Sequence, residues 1–388
     1  MNVSGIAHIS TVHHRHDTRI RVKEVATLSE AFGYVALIVQ DGKGNADEDD
    51  GRVRIMDIGQ PGSRAVRAVR GSWRMWRALR RMRPAIVHFH DVELIPLGFF
   101  LKIAGYSVIY DVHEDVPRDI LAKDWIPLIL KWPVSKSAAI LEWVAGRLFD
   151  GVVVVTPTIA RRYPASTTVL VQNYPLLDEF NYLAPSAYVQ RSPLVAYVGG
   201  LTQDRGAHKM VKAMGCLPKA SDLRLALAGS FSPPGLEREL SKLDGWARVD
   251  VLGWLSRNEV ASLLGRAAMG LVVLQPVPNL VAAQPNKLFE YMAAGLPVIA
   301  SDFPLWREIV DGARCGLLVD PEDPEAIAMA MQWIIENPQE AEEMGRRGRS
   351  AVEKKYNWDK EVSKLVDFYT ELFARTEHDI ITTHQDQV

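Results

Sequence analysis

Asn286-Lys287-Leu288-Phe289-Glu290-Tyr291-Met292-Ala293-Ala294-Gly295-Leu296-Pro297-Val298-Ile299-Ala300-Ser301-Asp302 is the most telling run of this chain. Its spacing predicts a helix opening at Asn286, a Gly-Leu-Pro stop and a short buried strand. Asn286 is expected to cap the helix with its side-chain oxygen. Gly295 and Pro297 stand where a helix ends. Val298–Ala300 is an apolar run between turn residues, the pattern of a parallel strand covered on both faces. Lys287 puts a cation at the helix start, and Glu290 puts a carboxylate one turn in. Free N–H groups and the dipole of a helix N-terminus draw phosphate. A carboxylate one turn later accepts from two neighbouring hydroxyls, as on a ribose. Phosphate and sugar together make a nucleotide. Taken alone, the run reads more readily as a capped core helix with two solvated charges, so the surrounding chain has to decide.

Around it, strand-like and helix-like segments alternate from end to end. Candidate strands are Gly5–Ser10, Tyr34–Gln40, Val53–Ile58, Ala85–His90, Ser107–Val112 and Gly151–Thr156, with helical patterns such as Ile20–Phe32 and Val92–Ala104 between them. After Asn173–Pro193, a proline-bearing stretch read as a linker, the alternation resumes. It runs through Leu194–Val198, Leu223–Ala228, Arg248–Leu252, Gly270–Leu274, Pro297–Ala300 and Gly316–Val319. Pro324–Phe373 reads as helical and Thr376–Val388 as a polar tail. This βα order predicts an α/β fold of two doubly wound Rossmann-like domains with a cleft between them. The expected divisions are residues 1–180, residues 190–360, and a final segment 361–388 that returns to the first domain.

The 388 residues are 48% hydrophobic and 24% charged, with a formal net charge of −2. That is a globular balance with no general pull on nucleic acid. Two cysteines, Cys216 and Cys315, make no disulfide framework and suit a reducing cytoplasm. No cationic leader followed by an apolar core opens the sequence, and no run of 18 or more apolar residues is present.

Tyr197-Val198-Gly199-Gly200-Leu201 followed by Asp204-Arg205-Gly206 is a strand, a glycine turn and a cation at a helix start. Glycines admit a ligand to the backbone, and Arg205 can hold phosphate oxygens bidentately. With Lys287, two cations at two helix starts suit a diphosphate. Leu252-Gly253-Trp254-Leu255-Ser256 ends another strand, with Ser256 a candidate cap, and can meet a nucleobase edge or be a plain loop. Val87-His88-Phe89-His90-Asp91 and Tyr110-Asp111-Val112-His113-Glu114-Asp115 end two strands of the first half. There His113 is placed to donate to a sugar hydroxyl or to developing charge. His88, His90, Asp91, Asp111 and His113 also offer a nitrogen- and oxygen-rich set for a metal, the mark of a metal-dependent hydrolase. His13–Ile20 is a polar loop that sets Arg19 beside a helix start, toward a diphosphate or an acceptor. Gly42-Lys43-Gly44 lacks the third glycine and the helix of a dinucleotide fingerprint, and the turn Asn45–Asp50 is acidic.

The strongest charge feature is Arg64–Arg83, with eight arginines among Val66, Val69, Trp73, Met75, Trp76, Leu79 and Met82. It is a surface helix, and arginine beside tryptophan suits an anionic membrane interface. Ile120–Phe149 carries Trp125, Trp132 and Trp143. It is broken by Pro127 and Pro133 and reads either as a greasy lip for a lipid-linked acceptor or as core.

These residues resemble a family. From about Val3 to about Tyr369 the chain is similar to the retaining glycosyltransferases of family four, which have the GT-B fold. The resemblance rests on Tyr197–Leu201, Arg205-Gly206, Asn286–Asp302, Glu308-Ile309-Val310 and Gly316–Val319. Asp111-Val112-His113-Glu114 resembles the histidine motif of bacterial exopolysaccharide and lipopolysaccharide members. The resemblance implies a metal-independent hexosyltransferase. It would move a sugar, with retention, from a nucleoside diphosphate sugar (UDP- or GDP-linked) to a glycan or lipid-linked acceptor. The setting would be cell-surface polysaccharide synthesis in the cytoplasm or at the inner face of the plasma membrane. It implies His113, Arg205 and Lys287 as catalytic, and Gly199, Gly200, Arg205, Gly253, Trp254, Asn286, Lys287 and Glu290 as donor-binding. Arg19, His90 and Asp111 would stand on the acceptor side, and neither cofactor nor metal is expected. Two positions depart from the family: Ala282 replaces the glutamate eight residues before Glu290, and Gly200 stands where arginine is common, which leaves more of the diphosphate to Arg205. A nucleotide-sugar epimerase of the same fold, a hydrolase using His88, His90 and His113, and a non-catalytic sugar-nucleotide sensor are the alternatives.

Overall fold

A computed structural model describes residues 5–385 except Pro61, Arg64, Ala65, Asp124, Trp125 and residues 181–187, with side chains as far as Arg375. The expectations for Arg64, Trp125 and Pro185 therefore lie outside the described residues. The chain forms two compact units, Met1–Asn173 with Glu361–Val388, and Tyr174–Lys360.

The first unit holds β1 (Ile6–Ile9), β2 (Val35–Val39), β3 (Ala46–Glu48), β4 (Val53–Asp57), β5 (Ile86–Phe89), β6 (Ser107–Val112), β7 (Gly151–Val154) and β8 (Thr168–Leu170) in one sheet. The order is β3-β4-β2-β1-β5-β6-β7-β8, and every pairing is parallel except β3 on β4. β1, β2 and β5–β7 are buried throughout, as apolar runs without alternation require. The helices are α1 (Ala26–Phe32), α2 (Ser72–Met82), α3 (Ile95–Ile103), α4 (Val116–Ala122), α5 (Leu128–Leu148) and α6 (Pro157–Ala160). A π-helical turn, Thr18–Val25, precedes α1 and is capped by Asp17, whose carboxylate accepts from the N–H groups of Arg19 and Ile20. Two short strands were not expected. β3 lies in the acidic stretch read as a turn, because Ala46, Asp47 and Glu48 pair antiparallel with β4 at the sheet edge. β8 pairs with β7. The C-terminal helix Asp359–Gln385 continues through most of the stretch read as a polar tail.

The second unit contains β9 (Leu194–Val198), β10 (Arg224–Ala228), β11 (Val249–Gly253), β12 (Met269–Val272), β13 (Val298–Ser301) and β14 (Gly316–Val319). They form an all-parallel sheet in the order β11-β10-β9-β12-β13-β14. Its order reverses between β9 and β12, where doubly wound sheets take ligands beyond their carboxyl ends. The helices are α7 (Ala207–Cys216), α8 (Leu236–Leu240), α9 (Arg257–Arg266), α10 (Pro278–Val281), α11 (Asn286–Ala293), α12 (Pro304–Ala313), α13 (Pro324–Glu336) and α14 (Pro338–Lys354). One core face gathers Ala196, Val272, Leu288, Phe289, Tyr291, Trp306 and Val298. The other gathers Tyr197, Met210, Leu225, Leu271, Ile299 and Ile334. The stretch read as a linker is part of this unit: Tyr174 and Phe180 are buried in its core, and the Trp358 N–H donates to the Pro175 carbonyl.

Candidate active site

In the second unit, β9 runs out at Val198 and the chain turns through Gly199, at φ 124°, and Gly200. A Cβ on Gly199 would stand 3.1 Å from Lys287 Nζ, and one on Gly200 would stand 2.8 Å from Arg205 Nη1. Both cations thus lie against one glycine turn at the end of β9. The Tyr197 hydroxyl donates to the Gly200 carbonyl at 2.9 Å and pins that turn. The Gly199 carbonyl presses on Gly229, where φ is 153° and a Cβ would approach to 1.9 Å.

Lys287 is the second residue of α11. Its Nζ sits 3.7 Å from the centroid of the Tyr197 ring, is buried, and has no hydrogen-bond partner among the described residues. Burial, with the neighbouring Arg205 charge behind it, draws this ammonium well below the usual lysine range. Arg205 is exposed and its Nη1 reaches the Gly200 carbonyl at 3.5 Å. Asn286 differs from expectation. Pro285 occupies the cap position and Asn286 is the first helical residue, with no side-chain capping bond. Proline fixes the extended φ at which the chain enters the helix.

Glu290 lies one turn along α11, nearly buried, and Arg257 Nη1 donates to its Oε1 at 2.8 Å. Arg257 turns its other edge to Glu179 through Nε and Nη2. Burial pulls the Arg257 guanidinium down, yet the charge of Glu290 and then the bond to Glu179 hold it above the usual range. Arg257 opens α9 directly after Ser256, which forms a full capping box with Glu259. In this way the loop after β11, with Gly253 at φ 69° and an exposed Trp254, is tied to Glu290 through α9. The Tyr291 hydroxyl accepts from the Val198 N–H at 2.8 Å, and its ring fills the space a Cβ on Gly270 would need. These contacts fix α11 against β9 and β12. Gly199, Gly200, Arg205 and Lys287 are therefore brought together, with Glu290 a turn away. Gly253 and Trp254 lie away from the two cations, at the end of the edge strand, on the loop joined to Glu290 through Arg257. Arg257, Glu179, Tyr197 and Tyr291 were not singled out from the sequence. The cap Ser256 pointed toward Arg257, but nothing marked Glu179 in a stretch read as linker.

The first unit gathers a second polar cluster where β1, β5 and β6 end, at its own point of strand reversal. Register sets His8 beside His88. His8 Nδ1 lies 2.9 Å from His90 Nε2, and His90 Nδ1 lies 3.2 Å from Asp111 Oδ2. His113 Nε2 is 2.9 Å from the same Asp111 oxygen. The Tyr369 hydroxyl meets His88 Nδ1 at 2.7 Å. Asp91 braces the turn after β1, accepting from the Ser10 hydroxyl and the Thr11 N–H at 2.8 and 2.6 Å. Arg19 does not face outward. It is buried, donates to both Asp111 oxygens at 3.1 and 3.3 Å, and pairs with Glu24 at 2.9 Å. Against the penalty of burial, Arg19 first and His113 next hold Asp111 well below the carboxylate range. Burial, reinforced by Asp111, pushes Glu24 up. Burial also lowers His8 and His88, and brings His90 down to about 4. Within this cluster His113 alone keeps part of its ring at the surface.

Nitrogen and oxygen atoms of His8, Glu24, His88 and His90, and separately of His90, Asp111 and His113, lie within 4.8 Å of one another. The Arg19 guanidinium, however, already supplies the positive charge that these carboxylates face. A divalent cation would have to share them with it. The cluster is a hydrogen-bonded chain that ends on His113.

Two family profiles cover most of the chain. The one described as "Glycosyl transferase 4-like domain" matches residues 18–169, and the one described as "Glycosyl transferases group 1" matches residues 180–351. The chain belongs to the glycosyltransferases, of the GT4 type with the GT-B fold. Among characterised relatives, it is 27% identical to alpha-maltose-1-phosphate synthase of Mycolicibacterium smegmatis, over 74% of this chain and 79% of that protein. In fold it is similar to sucrose-phosphate synthase from Thermosynechococcus elongatus (TM-score 0.77, 20% identity, 96% of this chain and 100% of that one). It is also similar to Anabaena HepE crystallised with UDP-glucose (TM-score 0.72, 13% identity, 95% of this chain and 99% of that one).

Proposed function

We propose that this protein transfers a hexosyl group from a nucleoside diphosphate sugar to an acceptor hydroxyl, with retention at the anomeric carbon and without a metal ion. The observation that carries this reading is Lys287: a buried ammonium without a hydrogen-bond partner among the described residues, beside Arg205 and against a glycine turn at the end of β9. A buried cation without an anion is costly unless a ligand supplies the charge. A diphosphate held by Lys287 and Arg205 becomes a better leaving group as its charge develops, which is the main catalytic demand of the step. Glu290, aimed by Arg257, receives the ribose hydroxyls, and Trp254 offers a face for the base. His113, oriented by Asp111, donates to the transferred sugar. The UDP-glucose held by the Anabaena protein of the same fold supports a nucleotide sugar as donor.

The acceptor is a lipid-linked glycan, and the role is in cell-surface polysaccharide synthesis at the inner face of the plasma membrane. The arginine-rich α2 and the exposed tryptophans of the first unit support that part. A thermal-shift screen against UDP- and GDP-sugars, followed by transfer assays with and without EDTA and NMR of the product anomer, tests the reading. It expects one donor to raise the melting temperature, chelation to leave the rate unchanged, and the donor anomer to be kept. Stabilisation by no nucleotide, loss of rate with EDTA, or an inverted product would each overturn the corresponding part.

A further inference from the structure

The sequence of α5 leaves two accounts of its apolar residues open, and burial decides between them. Ser135, Glu142, Ala145 and Gly146 face inward, whereas Leu128, Ile129, Trp132, Ile140 and Trp143 face solvent. Ile129, Trp132, Lys136, Ile140, Trp143 and Arg147 follow one another at three- and four-residue steps, so they form a single outward stripe. The helix is therefore amphipathic in the inverse sense, with its large apolar groups turned to water. Ile129 is 85% exposed, at a helix position where packing would have favoured a polar residue.

The stripe does not stand alone. α5 packs on α3, and the last turn of α3 exposes Phe100 and Ile103. Phe100 meets the Trp76 ring of α2 edge-on at 4.6 Å. α2 in turn exposes Trp73 with Arg74, Arg77, Arg80 and Arg81. Three helices of the first unit thus share one surface of exposed aromatic and aliphatic groups bordered by cations. Three of its tryptophans carry a cation on the ring: Arg77 at 4.7 Å from Trp73, Lys136 at 5.6 Å from Trp132 and Arg147 at 3.9 Å from Trp143. The acid on α5, Glu142, is buried against Arg162 and Tyr110 and shows no charge to this surface. Arg67–Met82 contains no acidic residue at all.

We infer that α2, the end of α3 and α5 form one docking surface for an anionic lipid bilayer, with the α5 stripe entering the acyl boundary and the α2 arginines on the headgroups. Charge complementarity selects this occupant. Tryptophan beside arginine or lysine suits the interface, where the ring is half-dry and the cation reaches phosphate. Each arginine near an anionic leaflet adds to that attraction. Among the described residues no helix is long and apolar enough to cross a membrane, so attachment through this surface is to one leaflet. The surface deepens the proposed function by giving a lipid-linked acceptor its plane. It rests on that reading only for its purpose.

The test uses the full chain and vesicles that carry no acceptor, so that binding is read apart from transfer. Co-sedimentation is measured with pure phosphatidylcholine and with phosphatidylcholine containing about 30% phosphatidylglycerol. We expect binding to the anionic vesicles that weakens with salt. Removing the stripe (Ile129→Ser, Trp132→Ser, Ile140→Ser, Trp143→Ser together) should lower it at least tenfold. Replacing Arg77, Arg80 and Arg81 by Gln should lower it by a similar factor and weaken the salt dependence. All seven side chains are on the outer surface. Both variants should therefore keep the wild-type melting temperature and its shift with a nucleotide sugar, which separates a failed surface from a failed transferase reading. Equal binding by wild type and both variants, or no binding to anionic vesicles at low salt, overturns the inference. So does a concentration-dependent dimer that the stripe variant abolishes in the absence of vesicle binding, which would make a second copy the occupant.

Discussion

At the scale of single residues, the second unit contrasts two cations that share one glycine turn. Arg205 is exposed to solvent, while the Lys287 ammonium is buried and its charge is penalised. On the proposed reading a diphosphate would restore the charge to Lys287, so its pKa would rise on binding. Between the free and bound values, binding takes up a proton and therefore weakens as pH rises. Calorimetry of UDP or GDP binding in buffers of different ionisation enthalpy should show this uptake, and Lys287→Met should abolish it. Lys287→Met and Arg205→Ala should each slow transfer by about 100-fold, the loss typical of a charge-stabilising donor. Near-normal rates would remove that residue from the site. Arg257 acts one step back. It bonds Glu290 Oε1 and, through its other edge, Glu179. Arg257→Ala should raise the donor KM about tenfold with little change in kcat, as loss of uniform binding does. Arg257→Lys should recover only part, since a lysine cannot span Glu179 and Glu290 in one fork. A fall in kcat at unchanged KM would place Arg257 elsewhere in the mechanism.

At the scale of elements, the site is made by how closely backbones approach. Gly206 opens the turn into α7 at φ 82°, and a Cβ there would lie 2.1 Å from the Val273 carbonyl oxygen at the end of β12. Gly229, at φ 153°, meets the Gly199 carbonyl more closely still. Neither position tolerates a methyl group without moving the turns at the ends of β9 and β12, against which Lys287 and Arg205 lie. Gly229→Ala should cost roughly 3 kcal/mol in denaturant unfolding and weaken the donor as well. Gly235→Ala, where a Cβ meets nothing within 4 Å, is the control and should be near neutral. An unchanged Gly229→Ala would mean that this turn is looser than its contacts indicate. In the first unit, the π-helical turn Thr18–Val25 has the same standing. Its wider winding brings both Arg19 and Glu24 inward onto Asp111.

At the scale of the whole molecule, the first unit carries its polar cluster inside the sheet end, and that gives the protein a dependence on acid. His90, at about 4, is neutral in the fold, whereas an unfolded chain protonates it below about 6.5. Its depressed value contributes stability that is complete above 6.5 and lost as pH falls toward 4. For His90 alone this amounts to about 3 kcal/mol. His8 and His88 act in the same sense. Glu24, whose value is raised, acts in the opposite one: its contribution is present at low pH and is lost as pH rises through its folded value. Glu142 and His13, also raised, act with Glu24, but His8, His88 and His90 are displaced further, so acidification leaves a net loss. The urea midpoint should therefore fall between pH 7 and pH 5, and His90→Gln should flatten part of that slope. A midpoint independent of pH across this range would show that the imidazoles are not held neutral.

The sequence by itself determined the architecture. All twelve expected strands are present within a residue or two, because apolar runs bounded by glycine, proline and polar turns admit few other states when both faces are covered. The same local logic found the Ser256 cap and the run from Lys287 to Glu290. Local logic failed where the partner is remote. Asn286 lost the cap to Pro285, β3 formed because an edge strand accepted an acidic segment, and Glu179 became a ligand of Arg257 from a stretch that looked like linker. Arg19 was legible as a cation at a helix start, but only its burial against Asp111 and Glu24 shows that its charge is spent internally. The apolar residues of α5 read equally as core or as surface, since periodicity gives a face and not its direction. Whether a side chain meets water or protein depends on which elements pack against it, and only the tertiary structure decided that.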